Sequence, residues 1–317
     1  CRQAWCRPHD RFMITRDCAE EFVSIQFRPS IKYLNGMTQA TQHWTLNDID
    51  WSRFDASKVS ADILQVIKTA AMVERNGADY GQYLCNVFRD DPEFCEVAQK
   101  WAEEEEQHGF ALGRWAMLAD PKFDFDAAFS QFLDMYRIPL NATDSVRGSQ
   151  AGELCARCVV ETGTSSFYSA IRDAVEEPVL REICKNIAAD EFRHYRLFFV
   201  HMERYLSKNN QGVLRARWDR LCVALARFRE ADDDEIASAY HAANSVTGPY
   251  DREGSNRAYA QRSLGFFQVR HVRRAGHMLA QAAGLEPNGM AAKLVSKLLW
   301  LVIWFRGRKF RPLLANS

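Results

Sequence analysis

Two segments, Glu105-Glu106-Gln107-His108 and Glu191-Phe192-Arg193-His194, repeat the pattern Glu-x-x-His. Each follows a solitary glutamate at nearly the same distance. Glu74 lies 31 residues before Glu105, and Glu161 lies 30 residues before Glu191. Four helices that carry Glu, Glu-x-x-His, Glu and Glu-x-x-His supply the ligands of a two-metal carboxylate site inside a four-helix bundle. The spacing therefore predicts an architecture and a chemistry together.

Helical periodicity tests that reading. In the first segment Ile63, Ile67, Ala70, Glu74, Gly77, Gly81 and Leu84 follow one another by steps of three and four. The same rhythm gives Phe94, Ala98, Trp101, Glu105, His108, Leu112 and Trp115, then Leu154, Cys158, Glu161, Ser165 and Tyr168. The fourth stripe is Leu180, Cys184, Ile187, Glu191, His194, Phe198, His201 and Tyr205. Residues three and four apart share a helix face, so each series is one stripe. The six candidate ligands, Glu74, Glu105, His108, Glu161, Glu191 and His194, all fall on these inward stripes. A carboxylate there is desolvated at a cost of several kcal/mol unless it is paired or metal-bound. The competing reading is a solvated face, because Glu103 to Glu106 is an acidic run and one Glu-x-x-His arises easily by chance. Two copies, two upstream glutamates and four matching stripes outweigh it.

The connections fit a bundle. A short link at Asp90-Asp91-Pro92 suits antiparallel neighbours, and Pro178 suits the first turn of the fourth helix. The longer stretch 120–149, with Pro121, Pro139 and Asn141, reads as a crossover with a short helix near 125–136. Further helices are expected at 213–229, 236–244 and 258–283, with a solvated acidic turn at 230–235 and a hinge at 284–289. Residues 1–45 read as an N-terminal extension, disordered or upstream of a native start at Met13 or Met37. Residues 46–245 read as the bundle, and 246–317 as a C-terminal helical extension.

Composition excludes some roles. Apolar residues make up 47% of 317, enough for a sizeable core, and 41 basic residues balance 41 acidic ones. That balance gives no argument for nucleic acid or for a charged membrane surface. Nine scattered cysteines suit a reducing cytoplasm, and no run reaches the length of a spanning helix. Cys155 and Cys158 form a lone CxxC, which lacks the second pair a zinc site needs and reads as small apolar packing. His201 reads as a core histidine, since the six-ligand set is complete without it. The tail 294–311 combines an apolar run with Arg306, Arg308, Lys309 and Arg311. Three readings stand for it: a final helix packed on the bundle or a dimer partner, a peripheral lipid anchor, or a dock for an acidic carrier protein.

The motif Ile187-Ala188-Ala189-Asp190-Glu191-Phe192-Arg193-His194 closely resembles the second metal motif of the soluble acyl-acyl-carrier-protein desaturases. Those enzymes belong to the ferritin-like di-iron carboxylate superfamily. Residues 101–109, Trp-Ala-Glu-Glu-Glu-Glu-Gln-His-Gly, resemble the first motif, with Gln107 where the family usually has Arg. Glu161-Thr162-Gly163-Thr164 resembles the third ligand and the threonine that lines the oxygen side of the metals. The resemblance covers about residues 60–205. It implies an all-α, ferritin-like four-helix bundle with a crossover connection and additional C-terminal helices. It implies that the six residues bind two iron ions, with Glu105 and Glu191 as bridges. Thr164 would serve proton delivery, while Asp190, and Glu104 in the equivalent place, would orient ligand histidines.

The implied activity is dioxygen-dependent desaturation or hydroxylation of a fatty acyl chain, carried on an acyl carrier protein. Electrons would come from a ferredoxin or a reductase, and a homodimer would be expected. Carboxylate and imidazole donors suit iron, or a manganese–iron pair. Two alternatives remain: an oxygenase for another hydrophobic or aromatic substrate, and a rubrerythrin-like handler of iron or peroxide.

Overall fold

The computed structural model describes residues 43–208, 212–229, 234–244 and 249–308. The described residues contain eleven α-helices and no strand, an all-α bundle as expected. These are α1 (Ala61–Arg75), α2 (Gly77–Val87), α3 (Pro92–Ala119), α4 (Phe125–Met135), α5 (Gln150–Ala174), α6 (Pro178–Lys208), α7 (Val213–Arg229), α8 (Asp234–Ala243), α9 (Arg252–Ser263), α10 (Val269–Ala282) and α11 (Met290–Arg308). Trp44–Ser317 forms one compact unit. The unit boundary falls just before Trp44. Residues 1–42 lie outside the described residues, as do Met13 and Met37.

Short polar residues start the helices. Asp91 accepts from the Phe94 amide at 3.1 Å, with Pro92 at the first position of α3. Asp124 does the same for α4 and Ser149 for α5. Glu177, buried between α5 and α6, accepts from the Leu180 amide at 2.7 Å, from the Trp115 indole at 2.7 Å and from the Asp55 amide at 3.1 Å. One carboxylate thus caps α6 and ties it to α3 and to the 3₁₀ turns that precede α1.

Every residue of the four sequence stripes is buried. The stripes pass through two apolar cores with a polar layer between them. Ile63, Ile67, Leu112, Trp115, Tyr168, Leu180 and Ile187 belong to one core, and Leu84, Phe94, Trp101, Leu154 and Phe198 to the other. The order in which each helix visits these cores gives its direction. α1 and α6 run from the first core to the second, and α3 and α5 run back. α3 and α5 are thus parallel, which requires the long crossover 120–149 and its helix α4. Glu74, Glu105, His108, Glu161, Glu191 and His194 all fall in the layer between.

Two expected continuous helices are broken. The first segment divides at Asn76, which has φ −78° and ψ 9° and separates α1 from α2. The reason is close packing: a Cβ on Gly77 would lie 2.6 Å from Glu105 Cβ and 2.8 Å from the Ala102 carbonyl oxygen. The helix expected at 258–283 divides into α9 and α10 around a 3₁₀ turn, Leu264–Phe266. α10 then packs on α5, and the Tyr195 hydroxyl donates to the Met278 carbonyl at 2.8 Å. The reversal after α10 uses Gly284 at φ +75°, a backbone position that suits glycine.

In the acidic turn expected at 230–235, residues 230–233 lie outside the described residues. Glu235 is not solvated: it is buried in α8 and accepts from the Tyr80 hydroxyl. α11 packs on α10 through Ser296 and Gly276, while Leu294, Leu298, Leu301 and Phe305 are exposed. Among the described residues no helix is long and apolar enough to cross a membrane. Lys309 and Arg311 of the basic tail lie outside the described residues.

Candidate metal centre

The polar layer gathers two overlapping groups of buried donors. Glu74, Glu105, His108 and Glu191 form one, and Glu105, Glu161, Glu191 and His194 the other. Within each group the donor atoms lie within 4.8 Å of one another, close enough to hold a metal ion. Glu105 and Glu191 belong to both groups, the position a bridging carboxylate occupies. His108 Nδ1 lies 3.4 Å from Glu191 Oε1, 3.7 Å from Glu105 Oε2 and 3.8 Å from Glu74 Oε2. His194 Nδ1 lies 3.0 Å from Glu105 Oε1 and 3.7 Å from Glu161 Oε2.

The outer nitrogens of both rings are held from across the bundle. His108 Nε2, on α3, lies 3.0 Å from Asp190 Oδ2 on α6. His194 Nε2, on α6, lies 2.8 Å from Glu104 Oε2 on α3. An N–H donated to a carboxylate fixes the tautomer and leaves Nδ1 as a lone-pair donor toward the cluster. Arg193 pairs with both outer carboxylates. The Trp44 indole donates to Asp190 at 2.7 Å, its ring stacks on His108 at 6.0 Å, and its carbonyl accepts from Gln107. Trp44, expected in a loose extension, therefore closes the histidine side of the site. Gln107, where the resembled family has Arg, makes that closure.

Burial and mutual repulsion move the charges of these groups. Burial, then Glu105, holds the Glu74 carboxyl well above the usual range; burial, then Glu191, does the same to Glu161. Burial also opposes charge on Glu105, but Glu74 and the two imidazoles beside it outweigh that and hold its carboxyl well below the usual range. Desolvation disfavours charge on the imidazoles, yet the surrounding carboxylates win. His108 is raised well above its ordinary value, and His194 is raised to about 9. Asp190 is held at about 2, against its burial, by His108 and Arg193. Without cations, protons must neutralise the cluster.

The donor set fits a pair of cations. Four fully buried atoms, His108 Nδ1, His194 Nδ1, Glu161 Oε2 and Glu191 Oε1, lack a hydrogen-bond partner, and all four belong to the cluster. Orphaned buried polar atoms are rare and costly in folded proteins. Divalent ions would satisfy them and displace the protons.

Opposite the histidines a small pocket opens onto the carboxylates. Glu74, Glu105, Glu161 and Glu191 reach it, with Thr164, Val160, Trp101, Tyr80 and Arg157 in its wall. The Thr164 hydroxyl donates to Glu191 Oε2. Tyr168 donates to Glu74 Oε1 at 2.5 Å. His201 packs edge-on against Phe94 at 5.0 Å and stays outside both donor groups, as expected. Burial lowers its pKa to about 4. Cys155 and Cys158 are buried free thiols. Sequence reasoning missed Trp44, Tyr80, Arg157 and Glu235, because one buried tryptophan or arginine has no periodic signal. A scan against protein-family models finds no match to this chain, and a search of the curated proteins finds none either.

Proposed function

We propose that this chain is a dioxygen-dependent oxidoreductase that holds two metal ions, of which iron suits the donors best. The observation that carries the reading is the pair of four-donor groups sharing Glu105 and Glu191, with four donor atoms otherwise unsatisfied. When bound, the metal pair supplies the reduction of dioxygen and the oxidation of a C–H bond. Glu105 and Glu191 would be shared by the two ions, Glu74 and Glu161 would complete the donor sets, and Asp190 and Glu104 would hold the imidazoles in the ligating tautomer. Thr164, hydrogen-bonded to Glu191 in the pocket wall, can hold or pass a proton there. Trp44 and the buried histidine side exclude water.

The first substrate to test is a fatty acyl chain, desaturated or hydroxylated, as the motif resemblance suggests. Desaturation removes two hydrogens from the substrate while dioxygen becomes two waters. The balance takes two further electrons and two protons, so an external donor such as a ferredoxin or a reductase is the proposed partner. Iron-loaded protein, reductant and candidate acyl substrates should consume dioxygen and yield an unsaturated or hydroxylated product, and Glu191→Ala should do neither. Rapid peroxide turnover with no organic substrate, and no product from any acyl or aromatic candidate, would overturn the proposal.

A further inference from the structure

Arg157 sits one helical turn before Glu161 on α5, so both point to the same side. Its side chain belongs to the pocket wall beside the four carboxylates. The residue is only 7% exposed, and its Nε is fully buried without a hydrogen-bond partner. Among the described residues no carboxylate lies at ion-pair distance from its guanidinium. Its contact is instead the Tyr80 ring, whose centroid lies 4.7 Å from the guanidinium carbon. Tyr80 is in turn fixed by its hydroxyl, which donates to both oxygens of Glu235 at 2.8 Å. Glu153, Glu161 and Glu235 act on Arg157 through space without accepting from it.

A guanidinium stays charged inside a protein, and a buried charge without an acceptor is costly. The pocket wall thus holds a guanidinium that makes no hydrogen bond among the described residues. The geometry of its planar fork matches a carboxylate in two parallel hydrogen bonds. We propose that the substrate carries a free carboxylate, which Arg157 grips on the pocket side of the metal pair. This inference rests on the oxidase reading and narrows its substrate class. A carboxylic acid, fatty or otherwise, fits the fork; an acyl group joined to a carrier as a thioester has no free carboxylate to offer it.

Zinc-loaded protein binds without turning over and separates recognition from catalysis. Titration calorimetry would compare hexanoate, the uncharged hexanamide and a hexanoyl pantetheine thioester on wild type, Arg157→Gln and Arg157→Lys. Hexanoate should bind wild type about tenfold to a hundredfold tighter than hexanamide, the usual worth of a charge-assisted hydrogen bond. Arg157→Gln should erase that preference while keeping two zinc ions per chain. Arg157→Lys should keep part of it, and decides the case if the glutamine variant does not fold. Equal binding of acid and amide, tighter binding of the thioester, or an acid preference that survives both variants would overturn the proposal. The last outcome would mean that the acid ligates the metals directly. Wild type that takes up no zinc would sink the metal reading alone, since the same titration still reads the fork.

Discussion

The two sides of the candidate metal centre are built on opposite rules. On the histidine side both outer ring nitrogens meet carboxylates, those carboxylates meet Arg193, and Trp44 seals the layer. On the pocket side Arg157 Nε has no hydrogen-bond partner, and Thr164 donates to Glu191. A satisfied wall fixes ligands; an unsatisfied one leaves bonding capacity for whatever enters. On the proposed reading, the contrast assigns holding the metals and handling the reactants to different faces of one polar layer.

The sharpest way to break this contrast is to remove a shared ligand. Glu105→Ala or Glu191→Ala should lose both ions by elemental analysis, whereas Glu74→Ala or Glu161→Ala should retain one. Retention of two ions by Glu191→Ala would end the shared-bridge reading. On the histidine side, Asp190→Asn or Glu104→Gln should weaken metal affinity about tenfold to a hundredfold, read by competition with a chelator.

Protonation gives a third test, on metal-free protein. Glu74, Glu161, His108 and His194 all have folded values raised above their unfolded ones. Their contribution is complete at low pH and is lost as pH rises through the folded values. Glu105 and Asp190 are lowered, so their contribution is lost only as pH falls below about 4. The melting temperature of metal-free protein should therefore fall between about pH 6.5 and 9, and divalent metal should flatten that slope. A melting temperature that rises over the same window would contradict the buried cluster.

Two smaller effects complete the series. Gly77→Ala must push α2 from α3 at Glu105, and should cost about 1–3 kcal/mol in denaturant unfolding. Thr164→Val removes one hydroxyl on the pocket side. It should cost about 1 kcal/mol, keep two ions per chain, and slow turnover. Metal loss in Thr164→Val would blur the two faces.

The four stripes were legible because ligands and core residues share one helical period, and the structure buries all of them. The direction of each helix follows from the same stripes once the layer divides the core. The outer carboxylates were legible too, since Glu104 and Asp190 directly precede candidate ligands. What periodicity could not carry was the departure from straight helices. The break at Asn76 adjoins the close approach of α2 to α3 at Gly77, which no periodicity announces. Trp44 fell within residues 1–45, read as an N-terminal extension. Glu235 looked solvated because acidic neighbours surround it in sequence, although Tyr80 holds it in the interior.

The crossed supports have a consequence of their own. α3 lends a carboxylate to the imidazole of α6, and α6 returns one to the imidazole of α3. These braces lie outside the positions that cations would occupy. Chelation should therefore strip the ions while the two rods stay latched together, leaving a scaffold that can be refilled without being rebuilt.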